Sequence, residues 1–312
     1  MNKFVKNIII FTVISFSAVV VKSDSKNELS KEIIYNYYEE DNDEVINAKV
    51  KSILKLIDEQ YDLEPFNIDS KEDIKSVLLL NATIDNDKLT SNEKELCYSL
   101  LPFYLDYDNL DRRGIYERLS TLDIIYVDDE VKVSPTDIKG ASYLPDNNII
   151  ICRSKKNILL RHELFHVSIP MTDFPKALKE GLASKLTKEY FYNENVNLSS
   201  TYREYMALIN SLTYIIDSNT LIEVTSFNDL EKFKEILLNK GSITEKELDN
   251  IISLFDKQLK IKDKSEIVNK LLESYVSLKD EPKALENLKV YNLYDSSKVD
   301  DYYFNKSKIK KQ

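Results

Sequence analysis

The 2 histidines of this chain stand four residues apart, in the run His162-Glu163-Leu164-Phe165-His166. Residues four apart on a helix lie one above the other on one face, so both imidazoles can reach one metal ion. Glu163 lies one position further on, where its carboxylate can reach a water held by that ion. This arrangement is typical of zinc hydrolases, in which the ion lowers the pKa of the water and the carboxylate accepts its proton. The spacing predicts a catalytic zinc with His162 and His166 as ligands and Glu163 as general base.

A third metal ligand has to be acidic, because both histidines already belong to the motif. A catalytic zinc site uses three protein ligands and leaves one position open for water. We expect Glu180 in this role, because Gly181 and Ala183 beside it would let its helix approach the motif helix closely. A glycine without such a reason costs a helix about 1 kcal/mol. Glu189 and Asp173 are the alternative third ligands.

The motif also has an interpretation without chemistry. Leu160, Leu164 and Val167 form the apolar face of an amphipathic helix, and two histidines could stand beside that face by accident. The surroundings favour the metal site, because a strand-rich segment comes directly before it. In addition, Ser154 can cap the motif helix at its start and Pro170 can stop it.

The elements that must position the motif change type along the chain. Apolar residues at helical spacing, and a capping box at Thr90 and Glu93, predict helices between residues 27 and 106. Between residues 122 and 152 the pattern is β. Short strands are expected at 124–127, 131–133 and 149–151, and residues 140–152 are expected to form either a hairpin or a loop and an edge strand.

Helices are expected again after the strands. The motif helix should cover 155–169, and the helix with Glu180 should be capped by Thr172 or Asp173, with Pro175 in its first turn, and run to Tyr190. Further helices are expected at 201–217, 228–238, 244–259, 265–278 and 282–288.

The composition bounds the class of protein. The chain has 312 residues, 43% of them hydrophobic, so it can bury a core. Only 4 Gly and 7 Pro argue against a turn-rich all-β fold. A net charge of −10 opposes a phosphate-binding surface, so no nucleic acid partner is expected. The oligomeric state stays open.

The first residues resemble a secretory signal. Lys3 and Lys6 precede an apolar run over 8–21, which is shorter than the roughly 20 residues that span a bilayer. We expect a secreted, extracellular protein with no membrane association after cleavage; an uncleaved anchor is the alternative. Cys97 and Cys152 could then form a disulfide or remain two buried thiols.

These patterns together predict an α+β, mainly helical fold with a small sheet and an active-site helix. The expected regions are a signal peptide at 1–22, a helical N-terminal region at 23–120, a catalytic core at 121–200 and a helical C-terminal region at 201–312.

The segment 162–183 resembles the gluzincins. Within it, the run 174–183 has a Pro followed by Glu-Gly-x-Ala, which is similar to the signature of the peptidase MA-like group. The resemblance implies a zincin-like catalytic core, zinc binding by the two histidines and Glu180, and Glu163 as general base. It also implies that an edge strand lines the cleft and pairs with an extended peptide, and 148–152 is the candidate strand.

The resemblance has limits. The extended metzincin pattern is excluded by Ile169 and Thr172, which stand where it requires Gly and His. Many gluzincins have an Asp four residues after the ligand Glu to orient a ligand His, and this chain has Ser184 there. A phenol after Glu180 could stabilise the developing negative charge, but none is singled out among Tyr190, Tyr192, Tyr202 and Tyr205.

The functional expectation is a secreted endopeptidase with one catalytic Zn²⁺, which hydrolyses a peptide or protein substrate by attack of metal-bound water. The alternative is a non-enzymatic helical binding protein whose zinc site is structural or vestigial.

Overall fold

The computed structural model of the protein describes residues 43–60, 68, 70–127, 140–153, 157–191 and 216–240, with the short stretches 205–206, 208–209, 212–213, 244–246 and 248–249. The predicted signal peptide, the strand at 131–133, the Ser154 cap and the last two helices lie outside these residues. No helix within the described ranges is long and apolar enough to cross a membrane.

The described chain is mainly helical and contains a small three-stranded sheet, as the sequence predicts. Its helices are α1 (Asp43–Gln60), α2 (Lys71–Ile84), α3 (Ser91–Tyr98), α4 (Leu101–Asp106), α5 (Arg112–Thr121), α6 (Asn157–Ser168), α7 (Lys176–Tyr190), α8 (Ser218–Ser226) and α9 (Leu230–Lys240). Its strands are β1 (Asp123–Tyr126), β2 (Ala141–Leu144) and β3 (Ile149–Cys152).

The capping box predicted at Thr90 is confirmed. The Thr90 hydroxyl accepts from the Glu93 main-chain N–H, and the Glu93 carboxylate accepts from the Thr90 N–H at 2.7 Å. Ser70 and Asp73 form the same reciprocal pair at the start of α2. Both boxes satisfy main-chain donors that the first helical turn leaves without a partner.

The prediction that Thr172 or Asp173 caps α7 is wrong. Pro175 occupies the N-cap position and no side chain caps this helix. Both residues instead accept hydrogen bonds from the Asn228 side-chain amide, at 2.7 Å and 2.9 Å. They therefore connect the loop before α7 to the loop between α8 and α9.

Helix α8 lies where the sequence suggested no helix. Asp217, predicted to end a helix, instead begins α8 by accepting from the Thr220 main-chain N–H at 2.9 Å. The Ser- and Thr-rich run of α8 has low intrinsic helix propensity. Burial of Leu221, Ile222 and Val224 overrides that propensity.

The sheet has the order β1-β3-β2, with β1 parallel and β2 antiparallel to β3. The hairpin alternative for residues 140–152 is therefore confirmed. The candidate edge strand at 148–152 is wrong, because β3 is the central strand and all of its residues are buried. A short continuous apolar run such as Ile149-Ile150-Ile151 suits a strand that has neighbours on both sides. The edge positions belong to β1 and β2.

Asn148 closes the hairpin in a left-handed conformation, with φ of 52°. Its side-chain amide donates to the Arg118 main-chain oxygen at 2.6 Å and to the Thr121 hydroxyl at 2.8 Å, and its oxygen accepts from the Tyr143 hydroxyl at 2.8 Å. A glycine would tolerate this backbone conformation but would lose all three bonds. The corner of the hairpin is thus attached to the end of α5.

The buried side chains form one main cluster that includes residues from α1 through α9 and from β3. In its centre, Phe165 of α6 packs edge-to-face on Phe103, with ring centroids 5.3 Å apart. Cys97 and Cys152 are both free and buried, so the two-thiol alternative is correct. The core therefore surrounds α6, the helix that carries the motif.

Candidate metal centre

Helices α6 and α7 bring His162, His166 and Glu180 together. The Nε2 atoms of the two imidazoles are 3.3 Å apart. The Glu180 Oε2 atom lies 3.4 Å from Nε2 of His162 and 3.5 Å from Nε2 of His166. Three donor atoms thus form a nearly equilateral triangle, and the group could hold a metal ion.

The triangle would be unfavourable without a cation or a proton between its three atoms. Each neutral imidazole presents a lone pair or an N–H at Nε2, and the carboxylate only accepts. Two lone pairs at 3.3 Å beside a carboxylate repel unless a positive charge lies among them. The arrangement therefore suits a cation at its centre, or a proton shared between an imidazole and the carboxylate.

The electrostatics of the group are consistent with a site for positive charge. Burial alone would raise the pKa of the Glu180 carboxyl, but the hydrogen bonds and charges of His162 and His166 hold it well below its usual value. Burial would lower the pKa of His162, yet Glu180 and Glu163 outweigh it and the pKa is raised. Glu180 is therefore an anion at neutral pH, which is the form that binds a metal.

Glu163 follows His162 on α6 and is buried, with 7% of its surface exposed. Its Oε2 atom accepts a hydrogen bond of 2.8 Å from the main-chain N–H of Tyr143 in β2. A buried carboxylate with a main-chain donor is fixed in position. Strand β2 therefore holds the carboxylate that the sequence singles out as a general base.

Tyr143 donates from the edge of the described sheet that β2 forms. In an antiparallel ladder, hydrogen-bonded and non-hydrogen-bonded pairs alternate. The Arg153 N–H donates to the Gly140 oxygen at 2.7 Å, so Gly140 and Arg153 form a hydrogen-bonded pair. By alternation, Ala141 and Tyr143 then form non-hydrogen-bonded pairs with their partners in β3. The main-chain groups of Ala141 and Tyr143 thus face away from β3, and Glu163 lies at this edge.

The C-terminal end of α6 is held by buried polar groups. The Arg118 guanidinium donates to the main-chain oxygens of Val167 at 2.6 Å and Ser168 at 3.3 Å. The Ser168 hydroxyl donates to Leu164 O at 3.0 Å and, having no second hydrogen, accepts from the Tyr104 hydroxyl at 2.9 Å. The last turn, which contains His166, is therefore attached to both α4 and α5.

Gly181 allows a close approach, but to a different neighbour from the one expected. A Cβ at this position would lie 2.8 Å from the Tyr205 carbonyl carbon, closer still to its oxygen, and 2.9 Å from Ile209 Cγ1. The glycine thus allows the main chain at Tyr205 and the side chain of Ile209 to approach α7. The close approach of α7 to the motif helix is also observed, because Glu180 Oε2 lies 3.4 Å from Nε2 of His162.

The ring of His162 also contacts Thr187, through the nitrogen that does not belong to the triangle. Its hydroxyl lies 3.5 Å from Nδ1 of His162, and Thr187 is 1% exposed. Ser184, which stands where many gluzincins have an Asp, is buried and its hydroxyl has no hydrogen-bond partner in the described part of the chain. The side chain beside the His162 ring therefore comes from one turn further along α7.

The other residues considered from the sequence have different surroundings. Asp173 bonds to Asn228, and neither Asp173 nor Glu189 belongs to the ligand group found among the described residues. Tyr190 donates its hydroxyl to Asp106 at 2.8 Å and packs against Phe103 in the core, so it is a packing residue. Tyr192 and Tyr202 lie outside the described residues.

Sequence reasoning named the residues of the triangle and Glu163 but missed Tyr143 and Thr187. Tyr143 acts through its main chain, so its side chain gives no signal. Thr187 was detectable in principle, because it follows Glu180 by seven residues and therefore lies on the same face of α7.

No protein-family model matches the chain, and comparison with curated proteins and with solved structures finds no match either.

Proposed function

We propose that the protein is a secreted, zinc-dependent endopeptidase of the gluzincin type. The observation that carries this proposal is the triangle of two imidazole nitrogens and one carboxylate oxygen. A second carboxylate, that of Glu163, directly follows the ligand His162 on α6. The order of a strand followed by two helices around the triangle resembles the gluzincins, as does the Glu-Gly-x-Ala run. Both resemblances support the proposal. The proposal includes a zincin-like core within residues 121–200.

Zinc fits the donor set. A tetrahedral ion with ligands at about 2.0–2.1 Å has neighbouring ligand atoms about 3.3–3.4 Å apart. The observed separations are 3.3, 3.4 and 3.5 Å. Two imidazoles and one carboxylate are a ligand set of catalytic zinc, and they leave a fourth position for water. Magnesium and calcium prefer oxygen ligands throughout and fit less well.

The bound ion would supply Lewis acidity that lowers the pKa of a coordinated water. The protein residues would do the rest. Glu163 would accept a proton from the attacking water and pass it to the leaving amine. The Tyr143 N–H bonds one oxygen of that carboxylate, which orients the group before the substrate arrives.

A substrate peptide would lie along the β2 edge of the described sheet. The main-chain groups of Ala141 and the main-chain oxygen of Tyr143 face away from β3 there and would pair with the peptide, while the Tyr143 N–H stays bonded to Glu163. An extended peptide that adds to a sheet edge gains affinity from its main chain with little sequence preference. A peptide bound in this way would have a peptide bond beside Glu163, which would favour cleavage within a chain. The edge strand in this role is β2, and not 148–152.

The decisive test of the proposal uses two variants and one control. Glu163→Gln keeps the shape of the side chain and should retain one zinc per chain while peptide hydrolysis falls by at least 100-fold. Glu180→Ala should lose zinc in elemental analysis. Glu189→Gln, which changes the alternative ligand on the same helix, should leave metal content unchanged. Undiminished hydrolysis by Glu163→Gln would refute the general-base role.

The alternative, a helical binding protein with a structural zinc, makes a different prediction. A closed structural site has four protein ligands and no exchangeable water. Cobalt substituted for zinc would then give a spectrum that does not respond to azide or to a hydroxamate. A response of the spectrum to these ligands would support the open, catalytic site.

A further inference from the structure

We propose that Thr187 is a positioning residue that holds His162 in the tautomer with the proton on Nδ1 and the lone pair on Nε2. The inference rests on the proposed metal centre and extends it to a residue outside the ligand triangle. It would explain how α7 orients a ligand histidine although Ser184 stands in place of the usual Asp.

The argument begins with the single hydroxyl hydrogen of Thr187. The Oγ1 atom lies 2.7 Å from the main-chain oxygen of Ala183, which can only accept. The hydrogen therefore points to Ala183, and Thr187 has only lone pairs left for other neighbours. Nδ1 of His162, at 3.5 Å, must then be the donor in the contact between the two side chains.

The position of the proton on Nδ1 determines the chemistry of the other ring nitrogen. A neutral imidazole with Nδ1–H has its lone pair on Nε2. Nε2 of His162 is the atom that faces the corresponding atom of His166 at 3.3 Å and the Glu180 oxygen at 3.4 Å. The lone pair therefore points into the triangle, where a metal would need it.

Burial protects the contact between Thr187 and His162 from water. The residue is 1% exposed, so water has little access to replace its hydroxyl. At 3.5 Å the contact is longer than the usual N–H···O range of about 2.7–3.2 Å, so it acts as a weak, orienting hydrogen bond. Ser184, one turn earlier and also buried, has a hydroxyl without a partner in the described ranges, so it does not take over this role.

The experiment compares zinc affinity of the full chain, measured by competition with a chelator, across four variants. Thr187→Val removes the acceptor at nearly constant volume and should weaken zinc binding by about 10- to 100-fold. Thr187→Ser restores a hydroxyl and should recover most of the affinity. Thr225→Val removes a buried hydroxyl with the same 2.7 Å bond to the carbonyl four residues before, in α8, and should leave affinity unchanged. Ser184→Ala should also leave it unchanged.

A second readout is nitrogen NMR of the zinc-loaded chain. His162 should show Nε2 bound to the ion and a proton on Nδ1, and Thr187→Val should speed the exchange of that Nδ1 proton with water. An exchange rate that Thr187→Val leaves unchanged would overturn the inference about Thr187.

The failures of the two proposals can be told apart. If the unmodified chain binds zinc and Thr187→Val binds it equally well, Thr187 has no positioning role and the zinc site stands. If the unmodified chain binds no zinc, the proposed function is refuted, and the inference about Thr187, which rests on it, is refuted with it.

Discussion

Replacing Gly181 by alanine tests whether packing or helix propensity controls this position of α7. In a solvated helix, the change from Gly to Ala stabilises by about 1 kcal/mol. In this protein the added methyl group would meet the main chain at Tyr205. The two effects change the free energy of unfolding in opposite directions, so the sign of the measured change shows which one dominates.

The structure favours a net loss of stability. The new Cβ would lie 2.8 Å from the Tyr205 carbonyl carbon, whereas ordinary contact begins at 3.4 Å. A main-chain carbonyl cannot rotate away as a flexible side chain can, so α7 or the main chain at Tyr205 must shift. Overpacking of this kind costs about 1–3 kcal/mol, and after the propensity gain of about 1 kcal/mol we expect a net loss of up to about 2 kcal/mol. Because Glu180 is the adjacent residue, zinc affinity should fall as well.

Urea unfolding of the metal-free chain measures the first effect, and chelator competition measures the second. Ser184→Ala is the matched control on the same helix, because it adds no atom and removes a buried hydroxyl that has no hydrogen-bond partner among the described residues. We expect the control to be neutral or slightly stabilising. A higher unfolding midpoint for Gly181→Ala, with unchanged zinc affinity, would refute the close approach described for Gly181.

Three further predictions concern the scaffold. Arg118→Met should destabilise the protein by about 2–4 kcal/mol, because it leaves the last two carbonyls of α6 without their donor, while exposed Arg113→Met should change stability little; urea unfolding compares them. Asp217 has a lowered pKa because hydrogen bonds to its carboxylate outweigh its burial. Its contribution to the free energy of unfolding should therefore be present above about pH 3.8 and be lost as the pH falls further, so the stability difference between the unmodified chain and Asp217→Ala should shrink in acid. Burial raises the pKa of Cys97 and Cys152 to about 12, so both thiols should resist an aromatic disulfide reagent at neutral pH until the protein unfolds, and fast labelling of the native chain would contradict their burial.

The sequence predicted what depends on local patterns. His162, His166 and Glu180 were identifiable because helical spacing and the small number of histidines leave few other ligands. The Thr90 capping box was identifiable because its two side chains bond within one turn. In each case the determining contacts lie within a few residues of one another or within two consecutive helices.

What the sequence did not predict depends on distant neighbours. Neither the central position of β3 nor the edge position of β2 follows from alternation or composition, because both depend on which strands pair. The true neighbour of Gly181 is Tyr205, which no local pattern connects to it. Helix α8 forms because tertiary burial outweighs the weak propensity of its Ser- and Thr-rich run.

The hydrogen bond between Glu163 and Tyr143 also bears on the solubility of the protein. A sheet with an open edge can add a strand from another molecule, and natural proteins protect such edges with charges and short strands. Strand β2 has 4 residues, and its outward N–H at Tyr143 already bonds to a buried carboxylate. A strand from a neighbouring molecule could pair with the Tyr143 N–H only by displacing that bond. Neutralising Glu163 therefore weakens a barrier to self-association, and concentrated Glu163→Gln protein should form larger particles than the unmodified chain in light scattering.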